Sequence, residues 1–171
     1  MKKIQALTVL VAVICLAAHT QAIAQPNDVE GWGKTKWGMT DKEIQSALGD
    51  QVKPYTEKGK FEKAHIDLWI PNLEIGTDQY EVLFVMDNAT DKLIQVGITP
   101  NPNSDPCVLF KPLEEMLVQK YGSPTHQNNQ VGDFTTYKRI WNFPSTSIQL
   151  IYADCQGSSP LLQLTYRSNK K

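Results

Sequence analysis

The sequence predicts an α+β protein, with one antiparallel sheet and two helices packed on one face, built from a helix and three strands used twice. Two observations carry this reading. A sharply capped short helix and a longer helical stripe are each followed by three strand-type runs. The runs are joined by short, turn-rich connections, and antiparallel sheets tolerate one covered and one open face.

The first unit opens on Thr40-Asp41-Lys42-Glu43, a capping box in which the Thr40 hydroxyl takes the Glu43 N–H and Glu43 reaches back. Met39 and Ile44 stand at the positions of a hydrophobic staple. Ile44, Ala47 and Leu48 fall on one helical face, and Gly49 is placed to end the helix. Three strands follow. In residues 64–70 (AHIDLWI), Ile66, Leu68 and Ile70 share one face, while His65, Asp67 and Trp69 share the other. Residues 79–86 (QYEVLFVM) are apolar on both faces, as in a central strand. A turn at 87–91 leads to residues 92–99, which place Ile94, Val96 and Ile98 together.

The second unit repeats this order. Asp105-Pro106 starts a helix with proline at its first position. Leu109, Leu113, Met116, Leu117 and Tyr121 form its stripe, Pro112 kinks or restarts it, and Gly122 and Pro124 stop it. Glu114-Glu115, just after Pro112, complement the dipole of a first turn. Strands at 134–143, 146–153 and 161–167 complete the unit. Trp69 and Trp141 lie near the ends of the first strands of the two units. The expected organisation is a tether at 25–36 and a single domain at 37–169, with repeat one at 37–99 and repeat two at 104–167.

Residues 1–24 read as a secretory signal: Lys2 and Lys3, an apolar run at 7–18, and the cleavage site Ala22-Ile23-Ala24. Removing 24 of the 171 residues leaves 147, and the loss of two lysines takes the net charge from −1 to −3. No second apolar run is long enough to span a membrane, so none is expected in the mature chain, which is placed in the periplasm or outside the cell. There, Cys107 and Cys155 are expected to form a disulfide; metal ligation and a reactive thiol are the alternatives.

Several chemistries find no motif. There is no Gly-x-Ser-x-Gly turn, P-loop or dinucleotide fingerprint, so no cofactor is expected. No third ligand accompanies either histidine of the mature chain, and neither cysteine has a Cys or His companion nearby, so no metal is expected either. The acidic mature charge argues against nucleic acid. Asn88-Ala89-Thr90 matches a glycosylation sequon, read as chance behind a bacterial-type leader. His65 and Asp67 form an H-x-D pair that could orient a general base or give two metal ligands, against the plainer reading of a solvated face. His126 falls in a Gln/Asn-rich loop. Trp69, beside His65 and Asp67 on the open face, is the candidate binding hot spot, with Gln163 and Thr165 of the last strand sharing that face.

The opening Trp37-Gly38-Met39-Thr40, with Asp41-Lys42-Glu43-Ile44 and Ala47-Leu48-Gly49, resembles that of many small exported bacterial proteins. Leu117-Val118-Gln119-Lys120-Tyr121-Gly122-Ser123-Pro124 resembles the end of their second helix. The tandem order over residues 32–167 is similar to the β-lactamase-inhibitor-protein-like fold, which includes the SmpA/OmlA lipoproteins; this chain lacks their lipidation cysteine. The resemblance implies a non-catalytic, protein-binding chain. The expected function is therefore binding of a protein partner in the cell envelope or outside the cell, with inhibition of a secreted enzyme as a narrower form. The alternative is a small hydrolase or lyase using His65.

Overall fold

The computed structural model describes residues 25–57, 61–155 and 159–170; the expected signal at 1–24 lies outside them. The elements in order are α1 (Asp41–Leu48), a 3-10 turn (Gly49–Gln51), β1 (Lys53–Pro54), β2 (Ala64–Ile75), β3 (Asp78–Asp87), β4 (Leu93–Pro100), α2 (Pro106–Tyr121), β5 (His126–Gln130), β6 (Phe134–Asn142), β7 (Thr146–Cys155) and β8 (Leu161–Ser168). The strands form one sheet, ordered β1-β2-β3-β4-β8-β7-β6-β5, with every neighbouring pair antiparallel. The class is α+β, mostly sheet.

Both helices begin as their caps dictate. Thr40 Oγ1 accepts from the Glu43 N–H at 3.4 Å, and Glu43 Oε2 accepts from the Thr40 N–H at 2.7 Å. Gly49, at φ 60° and ψ −139°, ends α1 in a conformation that suits glycine. Asp105 caps α2 by accepting from the Cys107 N–H at 2.9 Å, with Pro106 first in the helix.

Pro112 neither restarts α2 nor marks its first turn: the helix runs unbroken over 16 residues. The N–H that Pro112 lacks would have reached the carbonyl of Val108, a residue 64% exposed, so water can take that carbonyl instead. Glu114 and Glu115 therefore lie in the third turn, too far along for the dipole to explain them.

Each half of the sheet has four strands rather than three. β1 is two residues long and polar, and β5 (HQNNQ) is exposed throughout. Neither has an apolar period; both exist because a neighbouring strand offers a ladder to pair with. His126 is thus in a strand, not a loop. β2 also continues past residue 70, because a shift in pairing between Ile70 and Leu73 takes up Pro71, which has no N–H to give.

A single core lies on one face of the sheet. Leu68, Ile70, Val82, Phe84, Val96, Ile98, Trp141, Ile148, Leu150, Leu162 and Leu164 belong to it with Ile44 of α1 and Leu109, Leu113, Leu117 and Tyr121 of α2. Trp141 is 1% exposed and donates its Nε1–H to the Gly122 carbonyl at 2.7 Å, tying the end of α2 to β6.

The segment expected as a tether is instead docked on the domain. Asp28 accepts from the Ser145 backbone N–H at 2.9 Å and from its hydroxyl at 2.7 Å. Thr146, fully buried, donates to the Val29 carbonyl and accepts from Trp37 Nε1–H at 2.6 Å. Trp32 meets Phe84 edge-on at 6.0 Å, and Gly38 N–H donates to the Leu93 carbonyl at 3.0 Å. A run of polar and glycine residues hid the anchor Asp28, whose partner lies more than a hundred residues away.

Candidate functional site

With both helices on one face, the other face of the sheet is uncovered by any described element. Register identifies its residues. Trp69 stands opposite Leu83, Val85 opposite Gln95, Gly97 opposite Thr165, and Gln163 opposite Ile151. Gln163 and Thr165 are where the alternation with Leu162, Leu164 and Tyr166 places them.

The apolar part of this face is a groove of about 310 Å³, lined by Phe61, Ile66, Leu83, Val85 and Ile94, with Gln95, Gln163 and Arg167 along its polar side. Ile66 is 5% exposed yet does not belong to the core cluster, since it is buried in this groove and not under α1. Phe61 is 58% exposed. A Cβ on Gly97 would meet nothing within 4 Å, so β4 leaves open space at this point of the face.

Trp69 is half-buried at the β1 end. Tyr55 meets it edge-on at 5.5 Å and donates its hydroxyl to Glu57 at 3.3 Å. Burial, and then Glu57, push the Glu81 carboxyl above its ordinary range; the same two causes raise the Tyr55 hydroxyl. This corner therefore combines two aromatic rings with acid.

His65 and Asp67 do not share the Trp69 face. The pairing of β2 with β3 shifts between Ile66 and Leu68, leaving Asp67 as a bulge. His65 consequently stands opposite Met86, a core residue, and Ile66 turns to the open face opposite Val85. His65 Nδ1 is 2.8 Å from Asn88 Oδ1, and Nε2 is 3.5 Å from Asp67 Oδ2 and 3.9 Å from Asp91 Oδ1. Both ring nitrogens thus face partners within the chain, at the start of α1. There the Asp41 carboxyl is raised by burial first and by Asp67 and Asp91, with His65 acting to lower it. His65 ties β2 to the 87–91 turn. No group of three His, Cys, Asp or Glu residues that could hold a metal occurs among the described residues.

Cys107 lies at the start of α2 with its thiol 2.8 Å from Tyr152 Oη. That contact first, and burial second, hold the Tyr152 hydroxyl above its ordinary range. Cys155 is the last residue of β7, three residues beyond Tyr152, and its side chain lies outside the described residues.

Sequence reasoning missed Phe61, Leu83, Val85, Ile94, Gly97 and Arg167 as parts of the face. The signal was present in QYEVLFVM: one face of β3 enters the core, so apolar residues on its second face had to meet something else. No described helix is long and apolar enough to cross a membrane. Compared with protein-family models, with curated proteins and with solved structures, the chain matches none.

Proposed function

We propose that this is an exported, non-catalytic protein of the periplasm or extracellular space that binds a protein partner through the uncovered face of its sheet. The observation that carries the reading is an apolar groove bordered by polar side chains, with Trp69 and Tyr55 at one end, on the face that no described helix covers. An apolar centre, a polar rim and an aromatic anchor are how protein-binding surfaces are composed. The partner side chain best matched to the Trp69 corner is basic, since two rings and the carboxylates of Glu57 and Glu81 favour a cation. His65 is held by Asn88 and Asp67, which favours a structural role over the hydrolase or lyase alternative.

Three finer readings belong with this one. The leader is cleaved after Ala24. Cys107 and Cys155 pair as a disulfide in the oxidising compartment. The two halves descend from one repeated unit, as in the β-lactamase-inhibitor-protein-like and SmpA/OmlA folds; the mirrored strand order, with β4 beside β8 at the centre, supports this.

A photo-reactive residue placed at Leu83 or Ile94 tests the binding face, with one at Val118 on the exposed side of α2 as reference. The expected result is one crosslinked protein shared by the Leu83 and Ile94 probes and missing from the Val118 probe. The same adducts from all three probes, or adducts from Val118 alone, would overturn the reading.

A further inference from the structure

On the helix-bearing side of the sheet, a cleft of about 480 Å³ opens between the first half of α2 and strands β5, β6 and β7. We propose that this cleft binds a small planar monocarboxylate, its ring against Phe110 and Tyr137 and its charge on the Arg139 guanidinium. The site lies across the sheet from the Trp69 face, so it stands or falls independently of partner binding.

Arg139 is the starting point. It occupies a helix-facing position of β6, 6% exposed, next in register to core Leu150. A charge buried at that depth needs partners. Nε donates to Glu114, and Nη1 donates to Asn129 Oδ1 at 2.7 Å and to the Lys138 carbonyl at 3.0 Å. Nη2 has no acceptor among the described residues, yet is not sealed off as a buried unpaired atom, and Arg139 lines the cleft. A guanidinium edge left free in a concave site is a carboxylate acceptor's counterpart.

The cleft surface supplies the rest. Tyr137 and Tyr152 stack with ring centroids 5.7 Å apart and planes 19° apart, and Phe110 lies 5.5 Å from Tyr137. The guanidinium is 5.4 Å from the Phe110 ring, so a flat ligand can continue that stack. Lys111 stands at the mouth, 3.3 Å from Glu114. Arg139 and Lys111 against Glu114 leave one positive charge in excess among the lining groups. One excess charge suits a monoanion, and the Glu114 carboxylate opposes a more highly charged one. The volume is within the range of small-ligand sites, roughly 300–1,000 Å³.

Titration of the mature protein with benzoate, followed by amide NMR, tests the assignment, with benzyl alcohol as the uncharged ring and acetate as the ringless charge. Benzoate should give saturable shifts centred on the start of α2 and on Tyr137 to Arg139. Benzyl alcohol and acetate should each bind about tenfold more weakly. Arg139→Lys keeps a charge for Glu114 but removes Nη2, and should cost about tenfold in benzoate affinity. Lys111→Ala and Tyr137→Leu, at less buried positions, should each weaken benzoate and keep the test sound if Arg139→Lys fails to fold. Unsaturable shifts, equal affinity for benzoate and either reference compound, or full affinity in both Lys111→Ala and Tyr137→Leu would overturn the proposal.

Discussion

Trp69 lies in the middle of β2 and Trp141 near the end of β6, and the sheet treats them in opposite ways. Trp141 points to the helices, is enclosed, and has its indole N–H on the Gly122 carbonyl. Trp69 points to the bare face, opposite Leu83, with Tyr55 at its edge. The residue type is the same, so the difference comes from register alone: a side chain's face in a strand is set by parity, and parity decides whether a tryptophan serves the core or the surface. The two faces of this sheet are accordingly two different materials. One is a close-packed core closed by α1 and α2; the other is a shallow apolar strip with a polar border.

The largest effect should come from the enclosed tryptophan. Trp141→Ala removes a fully buried ring and leaves the Gly122 carbonyl without its donor, and should cost about 3–5 kcal/mol. In a chain of this size that lowers Tm by roughly 10 °C or more, as read by thermal unfolding. A loss as small as that from a surface substitution would erase the distinction between the faces.

Next is the tie between α2 and β6. Arg139→Met strands the part-buried Glu114 carboxylate and should cost about 3 kcal/mol in denaturant unfolding. The same pair should show in pH dependence. Burial raises the Glu114 carboxyl, but Arg139 and Lys111 outweigh it and hold the group below its ordinary 4.5. A carboxylate lowered on folding stabilises the fold above its unfolded value and loses that contribution as the pH falls through the folded one. Stability measured from about pH 6 to about pH 3 should therefore decline, and Glu114→Gln should flatten part of that decline. An unchanged slope in Glu114→Gln would mean that the pair does not hold α2.

Smaller again are the ends of α1. Thr40→Ala removes the acceptor for the Glu43 N–H and should cost about 1 kcal/mol. Gly49→Val puts a branched side chain at φ 60° and should cost about 1–3 kcal/mol. Unfolding midpoints unmoved in both variants would mean that the caps are incidental to the fold.

Local chemistry made α1 readable: the capping box and the Gly49 stop lie within ten residues and involve no distant partner. The six longer strands were readable as strands, but in β4 the expected grouping of Ile94 with Val96 and Ile98 fails: the pairing shifts between Val85 and Met86, and Ile94 lines the open-face groove while Val96 and Ile98 stay in the core. What was hidden depends on pairing. β1 and β5 have no pattern of their own and become strands by hydrogen bonding to β2 and β6. The bulge at Asp67 has no local signature either, yet it moves His65 and Ile66 to faces opposite those that strict alternation assigns. Trp69 lies beyond the bulge, in step with Leu68 and Ile70, so its face was legible and that of His65 was not. Arg139 reads in the sequence as one more charge in a strand; only the meeting of α2, β5 and β6 gives it Glu114, Asn129 and a cleft.

Trp69 gives the smallest expected effect on stability and the largest on function. The most direct test measures both on one preparation of Trp69→Ala: its thermal unfolding, and its affinity for the protein crosslinked through Leu83 and Ile94. An anchor on the open face predicts a loss of less than about 1 kcal/mol in stability, since the ring is only half-buried, together with a loss of about 2 kcal/mol in binding, roughly a 30-fold weaker Kd. A fall in Tm comparable to that of Trp141→Ala, or unchanged affinity in a stably folded variant, would contradict the assignment of this face to partner binding.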